Sequence, residues 1–204
     1  MTENDARELM TERFGSERVE RIAAFLDMVV AENDQQNLIA PSTIDTIWVR
    51  HALDSAQLMF HVEPAESWLD IGTGGGFPGM IVALLFDGKV TMVEPRKKRA
   101  MFLQACVDHL SIANADVAAS KVEAVSGRYD IISARAVASV EKLLQAAAPC
   151  AKPDTRWILP RGRIEPEQLT ALRRQRDRVF HVEHSLTDPD SAILIVDRHK
   201  GRAS

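Results

Sequence analysis

The chain is poor in the features that brace or anchor a protein by special means. It has two cysteines, Cys106 and Cys150, far apart in apolar surroundings. They form no CxxC pair and no metal-ligand pattern, which excludes a disulfide framework and a cysteine-based metal site. Two reduced, buried thiols are expected instead. Apolar runs stop after a few residues, so no segment can span a bilayer. Residues 1–21 lack a basic start and an apolar stretch, so no secretory signal is expected and the protein is placed in the cytoplasm. There is no internal repeat and no low-complexity linker. What remains is 46% apolar and 26% charged residues over 204 positions, an ordinary globular balance. That length supplies a full core for one domain without staples.

Charge is unevenly spread. Residues 1–66 carry 5 Lys/Arg against 13 Asp/Glu, whereas residues 67–204 carry 20 against 16. An acidic front and a mildly basic body can orient a polyanion. The front third reads as helical. Val19, Ile22, Ala23, Leu26, Val29 and Val30 form one apolar stripe at helical spacing, with Ser16 placed to cap it. A second helix is expected from Ile44 to Leu58, after the Pro41-Ser42 turn. From residue 67 short apolar strands alternate with helical stretches. Strands are expected near 67–71, 89–93, 115–119, 129–133, 155–159, 179–183 and 192–197. Helices are expected near 78–86, 96–110, 138–149 and 165–176. Such alternation predicts a mostly parallel sheet covered on both faces. The last two strands are too close in sequence for a helical crossover and should pair antiparallel. The helical extension 1–66 and the α/β domain 67–204 are expected to pack as one unit.

The most informative segment runs from Trp68 through Asp70-Ile-Gly72-Thr-Gly74-Gly75-Gly76-Phe77-Pro78 to Gly79. A strand enters a glycine cluster and a helix follows, with Pro78 suited to its first turn. Gly72 and Gly74 allow φ > 0 and close backbone approach to a ligand. The next strand ends in Glu94, where a carboxylate can accept bonds from both hydroxyls of an adenosine ribose. Two cofactor classes share this layout. Nicotinamide dehydrogenases use G-x-G-x-x-G against a pyrophosphate. S-adenosylmethionine enzymes place an acid two residues before G-x-G-x-G, which Asp70 and Gly72-Thr-Gly74-Gly75-Gly76 match. Asp70 could neutralise the methionine ammonium, directly or through water, and would repel a pyrophosphate. The pattern favours the methyl donor.

Four blocks then resemble one family in their combined order and spacing. They are Trp48-Val-Arg-His-Ala-Leu-Asp-Ser55, the glycine loop, Ser120-Lys-Val-Glu123, and Ile132-Ser-Ala-Arg-Ala-Val-Ala-Ser139. They are similar to the bacterial 16S rRNA guanine-N7 methyltransferases, formerly called glucose-inhibited division protein B. Asn37-Leu38 and Lys98-Arg99 fit the same pattern. The resemblance implies a Rossmann-like, doubly wound α/β methyltransferase fold with a mostly parallel seven-stranded sheet and a helical N-terminal extension. It implies methyl transfer from S-adenosylmethionine to guanine N7 in the 530 loop of small-subunit RNA, leaving S-adenosylhomocysteine. Its cofactor residues fall on Gly72, Phe77, Val122, Glu123 and Arg135. Many members carry an aliphatic residue where this chain has Phe77. The expected partner is 16S rRNA or the small ribosomal subunit, with no metal, no membrane and a monomeric protein.

The chemistry bears on which residues to look for. Guanine N7 has a free lone pair and no proton to lose. No catalytic residue is therefore expected, only alignment. The Asn/Asp-Pro-Pro-Tyr motif of amine methylation is missing after the fourth strand, where Ser133-Ala134-Arg135 stands. Arg135 has only donors and is a poor base. Glu123, or the backbone beside it, could meet the adenine edge, with Val122 against the ring. Arg96-Lys97-Lys98-Arg99 puts four cations in a first helical turn, against the helix dipole, which points to an anionic partner. Arg161-Gly162-Arg163 could track a phosphate backbone. Trp48 and His51 are expected to be structural or to position substrate. Two rival readings remain at this point: a methyltransferase for a small molecule or protein, and a non-catalytic nucleotide- or RNA-binding module.

Overall fold

A computed structural model describes residues 1–135 and 137–199. Ala136, within the fourth of the sequence blocks above, lies outside the described residues, as do residues 200–204.

Two helices open the chain, α1 (Glu3–Phe14) and α2 (Ser16–Gln36). α1 starts in a capping box, in which the Thr2 side chain accepts from the Asp5 N–H and Asp5 accepts from the Thr2 N–H. It buries only Ala6 and Met10, so its apolar stripe is too thin to read from sequence. On α2 the stripe Val19, Ile22, Leu26 and Val29 is buried as expected, joined by Phe25, while Val30 stays 40% exposed. Ser16 does not cap this helix. It lies inside the first turn, and Gly15 holds the N-cap position with φ +85° and no side-chain bond.

The expected second helix is broken into four short pieces. Pro41–Thr46 and Gln57–His61 are 3-10 turns, Trp48–Leu53 is a π-helix, and α3 (Asp54–Ala56) joins them. A π-bulge widens the helix and re-aims its side chains, and such bulges gather at functional sites. Here the π segment carries Arg50 and His51.

The body is one seven-stranded sheet in the order β3-β2-β1-β4-β5-β7-β6. Its strands are β1 (Ser67–Ile71), β2 (Lys89–Val93), β3 (Ala115–Ala118), β4 (Tyr129–Ser133), β5 (Ala151–Arg161), β6 (Arg178–His184) and β7 (Ala192–Arg198). β1 to β5 pair in parallel, and β7 runs antiparallel between β5 and β6. β5 is longer than the 155–159 read from sequence. Between the strands lie α4 (Gly79–Leu85), α5 (Lys97–His109), α6 (Val140–Ala146) and α7 (Pro166–Leu172). α6 and α7 are shorter than expected, and a 3-10 turn at Ala148–Cys150 follows α6. Both cysteines are free and buried.

Strand order reverses between β1 and β4, the place where open α/β sheets bind ligands. One core face joins the extension to the body. Phe25 and Leu26 of α2 and Leu53 and Leu58 of the broken segment share a cluster with Trp68, Met80, Ile81 and Val90. Among the described residues no helix is long and apolar enough to cross a membrane.

Candidate active site

The glycine loop leaves the C-terminal end of β1 at the switch point. Gly72, Gly74 and Gly76 all take positive φ, at +69°, +61° and +104°. A buried polar chain fixes the loop. Trp68 Nε1 donates to Ser133 Oγ at 2.8 Å, and Ser133 Oγ donates to Asp70 Oδ1 at 2.6 Å. Asp70 Oδ2 accepts from Thr73 Oγ1 at 2.8 Å and from the Gly79 N–H at 2.9 Å. Asp70 therefore ties strand end, loop and helix start together. It is wholly buried, and burial pushes its carboxyl up to about 6 although three hydrogen bonds pull the other way. With no part of it at the surface, Asp70 is not placed to touch a ligand ammonium directly, the first of the two ways expected for it. Pro78 follows a cis bond from Phe77 and takes the N-cap of α4, one place before the first turn expected for it.

Glu94 sits at the tip of β2, beside the loop. Its Oε2 accepts from the Gly74 N–H at 2.9 Å and its Oε1 from the Arg96 N–H at 2.8 Å. Each oxygen keeps a lone pair beyond these bonds. Val122 is buried in a short turn after β3, and Glu123 beside it is exposed. A Cβ placed on Gly74 would meet Arg99 Nη1 at 3.6 Å and the Gly72 carbonyl at 3.8 Å, ordinary contacts that leave that residue uncrowded. An uncrowded, positive-φ glycine bonded to a strand-tip carboxylate suits an adenosine-bearing ligand, so these residues fit the cofactor that the sequence implies.

On the other side of the loop stands Arg135, at the end of β4. Its Nη1 lies 3.1 Å from Asp54 Oδ2, and its Nη2 makes a longer contact, 3.4 Å, to His51 Nδ1. The guanidinium also lies over the Phe77 ring, 5.5 Å from its centroid. Phe77 is buried against His51 and Phe25 and forms a wall beneath the arginine. His51 Nε2 is 2.8 Å from Thr43 Oγ1, which donates onward to the Ala40 carbonyl. This order puts the His51 proton on Nε2 and leaves Nδ1 to accept from the arginine. Burial, with Arg135 and Arg50 nearby, lowers His51 to about 4, so the ring is neutral at physiological pH.

Asp54 is further engaged by the loop between β6 and β7. Its Oδ1 accepts from Thr187 Oγ1 at 2.9 Å and from Gln57 Nε2 at 3.0 Å, and Gln57 Oε1 accepts from the Leu186 N–H at 2.8 Å. Arg50 pairs with Asp188 at 2.7 Å. Together these groups enclose a cavity of about 430 Å³ that also meets Arg161 and Ile193. Trp48 is half-buried with Arg7 over one ring face at 5.2 Å, so that face is closed to a base. Thr43, Asp188 and Ser133 were not singled out by sequence, because nothing local marks a residue whose partner lies far along the chain.

Comparison with known proteins bears on which methyl donor and acceptor this arrangement serves. The model of the rRNA small subunit methyltransferase G family matches residues 18–188. The chain belongs to that family. A family relative from Novosphingobium aromaticivorans is 45% identical over 86% of this chain and 78% of its own length. One from Erythrobacter litoralis is 40% identical over 99% of this chain and 98% of its own. Both are named ribosomal RNA small subunit methyltransferase G. Solved structures share the fold at lower identity. A SAM-dependent methyltransferase from Aquifex aeolicus has a TM-score of 0.56 at 16% identity, covering 78% of this chain and 98% of its own. The ribosomal protein L11 methylase of Lactobacillus delbrueckii subsp. bulgaricus has 0.56 at 17%, covering 72% and 77%. As a family member, the chain is an S-adenosylmethionine-dependent rRNA methyltransferase, which sets aside both rival readings.

Proposed function

We propose that the chain methylates N7 of a guanine in the 530 loop of 16S rRNA, in the cytoplasm, without a side-chain base. S-adenosylmethionine supplies the sulfonium methyl that N7 attacks. Gly72 and Gly74 give it a close backbone seat, and Glu94 holds its ribose hydroxyls. Val122 and Glu123 border its adenine, and Arg135, braced on the Phe77 wall, faces its methionine end. The observation that carries the base-free reading is that His51 and Asp54, the titratable groups beside Arg135, are already engaged by neighbours. His51 uses both ring nitrogens, one on Thr43 and one on Arg135, and Asp54 accepts three hydrogen bonds, from Arg135, Gln57 and Thr187. These groups hold the arginine and shape the cavity. They are placed to align N7, methyl and sulfur, the only demand an acceptor without a proton makes.

Mapping of N7-methylguanine in small-subunit RNA from cells with and without the gene tests the site of transfer. A 530-loop guanine should lose the mark. Single-turnover rates test the mechanism. They should be nearly flat from about pH 6.5 to 8.5, with a solvent deuterium isotope effect of about one. The isotope effect is needed because His51, already neutral in that window, would not reveal itself by pH alone. A large isotope effect would mean that a proton moves in the step and that the acceptor is not N7.

A further inference from the structure

Three arginines line the cavity beside the π segment: Arg50, Arg135 and Arg161. Two are matched by carboxylates, Arg50 by Asp188 and Arg135 by Asp54. Arg161 differs. Its Nη1 donates to the Ala138 carbonyl at 2.7 Å. Its Nε and Nη2 are buried and have no hydrogen-bond partner among the described residues. No described carboxylate lies within ion-pair distance of it; Glu141 is near enough to favour its charge, but burial outweighs that effect. Nε–H and Nη2–H share one edge of a planar group, and their spacing matches two oxygens of one anion. Buried charged donors left unmade are costly, which favours a change of rotamer that offers this edge to an anion in the cavity.

Position decides between the two anions of the reaction. Arg161 ends β5, which neighbours β4 and its Arg135. Strands lie about 4.8 Å apart. Arg161 is thus one strand beyond Arg135 and two beyond the glycine loop, on the side away from Glu94. In the function proposed above the methionine end of the cofactor lies at Arg135, which leaves the cavity beyond Arg135, lined by Arg161, for the nucleotide being methylated. We propose that the Nε–Nη2 edge of Arg161 seats the phosphate of the target guanosine, which occupies the cavity between Arg135 and Arg161, and so fixes where N7 stands. This rests on the function proposed above and names a residue that positions its substrate.

The test uses the full chain and Arg161→Lys, which keeps the charge and a donor for the Ala138 carbonyl but loses the paired edge. Guanosine 5′-monophosphate should compete with small-subunit RNA at least about tenfold better than guanosine does on the wild type, and the variant should erase that difference. Single-turnover transfer at saturating RNA should fall about ten- to a hundredfold in the variant. Its S-adenosylmethionine affinity, by calorimetry, and its melting temperature should hold. Arg128→Gln, which removes an exposed cation just before β4, should match the wild type. Equal binding of the two ligands to the wild type overturns the proposal, and that measurement needs no variant to fold. So does an unchanged rate in Arg161→Lys. A loss of cofactor affinity instead gives the edge to the methionine carboxylate, and a fall in melting temperature with the rate makes Arg161 only a strut for Ala138. Direct calorimetry of guanosine monophosphate reads the phosphate seat even if no N7 methyl appears in RNA, the result that would sink the function and leave the seat standing.

Discussion

Asp70 carries a carboxyl group into a fully enclosed seat, and that seat gives the site a pH signature. Its folded pKa is raised from 3.8 to about 6. Below the unfolded value the group is protonated in both states and contributes no difference. As pH rises from there towards about 6, the unfolded chain ionises while the folded one holds its proton, so stability falls. Above that range the loss is complete, at up to about 3 kcal/mol. Asp70→Asn lacks this titration. Denaturant melts should therefore show wild-type stability dropping relative to the variant between about pH 4 and 7, and parallel curves would show that the carboxyl is not perturbed. The glycines separate in the same residue-by-residue way. A Cβ on Gly76 would lie 2.4 Å from Phe25 Cζ, whereas one on Gly74 meets only ordinary contacts at 3.6 Å or more. Gly74→Val is strained by its positive φ, at about 1–2 kcal/mol or more for a β-branched residue, yet has room. It should lose S-adenosylmethionine binding by calorimetry while still melting cooperatively, and Gly76→Val should lose both. The positions of Gly72, Gly74 and Glu94 could be anticipated from sequence because loop and strand tip are set by local pattern. The seat of Asp70 could not, because its key partner, Ser133, lies on a different strand.

Among the elements, the parallel strands were the most legible. Buried on both faces, they read as short apolar runs, and β1 and β2 fall where the runs predict. The segment 41–61 was the least legible. Its apolar spacing is helical, but the π turn at Trp48–Leu53 is held by tertiary bonds, the Glu3 carboxylate accepting from the Trp48 and Val49 N–H groups among them. Helical period alone cannot report such a bulge. The basic start of α5 also divides on inspection. Arg96, Lys97 and Lys98 are exposed and in no ion pair among the described residues, whereas Arg99 is half-buried and donates to the Asn37 carbonyl at 3.2 Å. Only the first three are free for RNA. Arg96→Gln, Lys97→Gln and Lys98→Gln together should weaken RNA binding and flatten its salt dependence by about 0.7–0.9 log units for each phosphate no longer neutralised, with cofactor affinity unchanged. Titrations at several salt concentrations measure this, and an unaltered slope would make the run a solvated helix end. Glu94→Ala belongs to the same boundary. It removes the acceptor of two backbone N–H groups as well as the proposed ribose contact, so cofactor affinity should fall by about 1.5–3 kcal/mol, read by calorimetry.

At the scale of the whole molecule, the acidic extension and the basic body share one core face. Phe25 of α2 packs on Phe77 with ring centroids 5.4 Å apart, and Arg18 donates to the Leu85 carbonyl and pairs with Asp87. We take residues 1–66 and 67–199 as one folding unit. A chain beginning at residue 67 would expose the buried faces of Trp68, Met80 and Ile81, and should be insoluble or molten, without a cooperative melt. A soluble, cooperative, cofactor-binding fragment would show that the extension is a separate module. The cavity beside Arg135 joins distant parts of the chain more sharply still. Its walls come from Thr43 to Gln57, from Arg135, from Pro160 to Gly162 and from Ser185 to Ile193, and the Arg50–Asp188 bond spans 138 residues. Synthesis proceeds from the N-terminus, and segments fold as they emerge. The glycine loop, Glu94 and Arg135 are all made before the segment that closes this cavity. Because the chain folds as one unit, the cavity closes only once Ser185 to Ile193 has left the ribosome, and a growing copy carries no finished cavity.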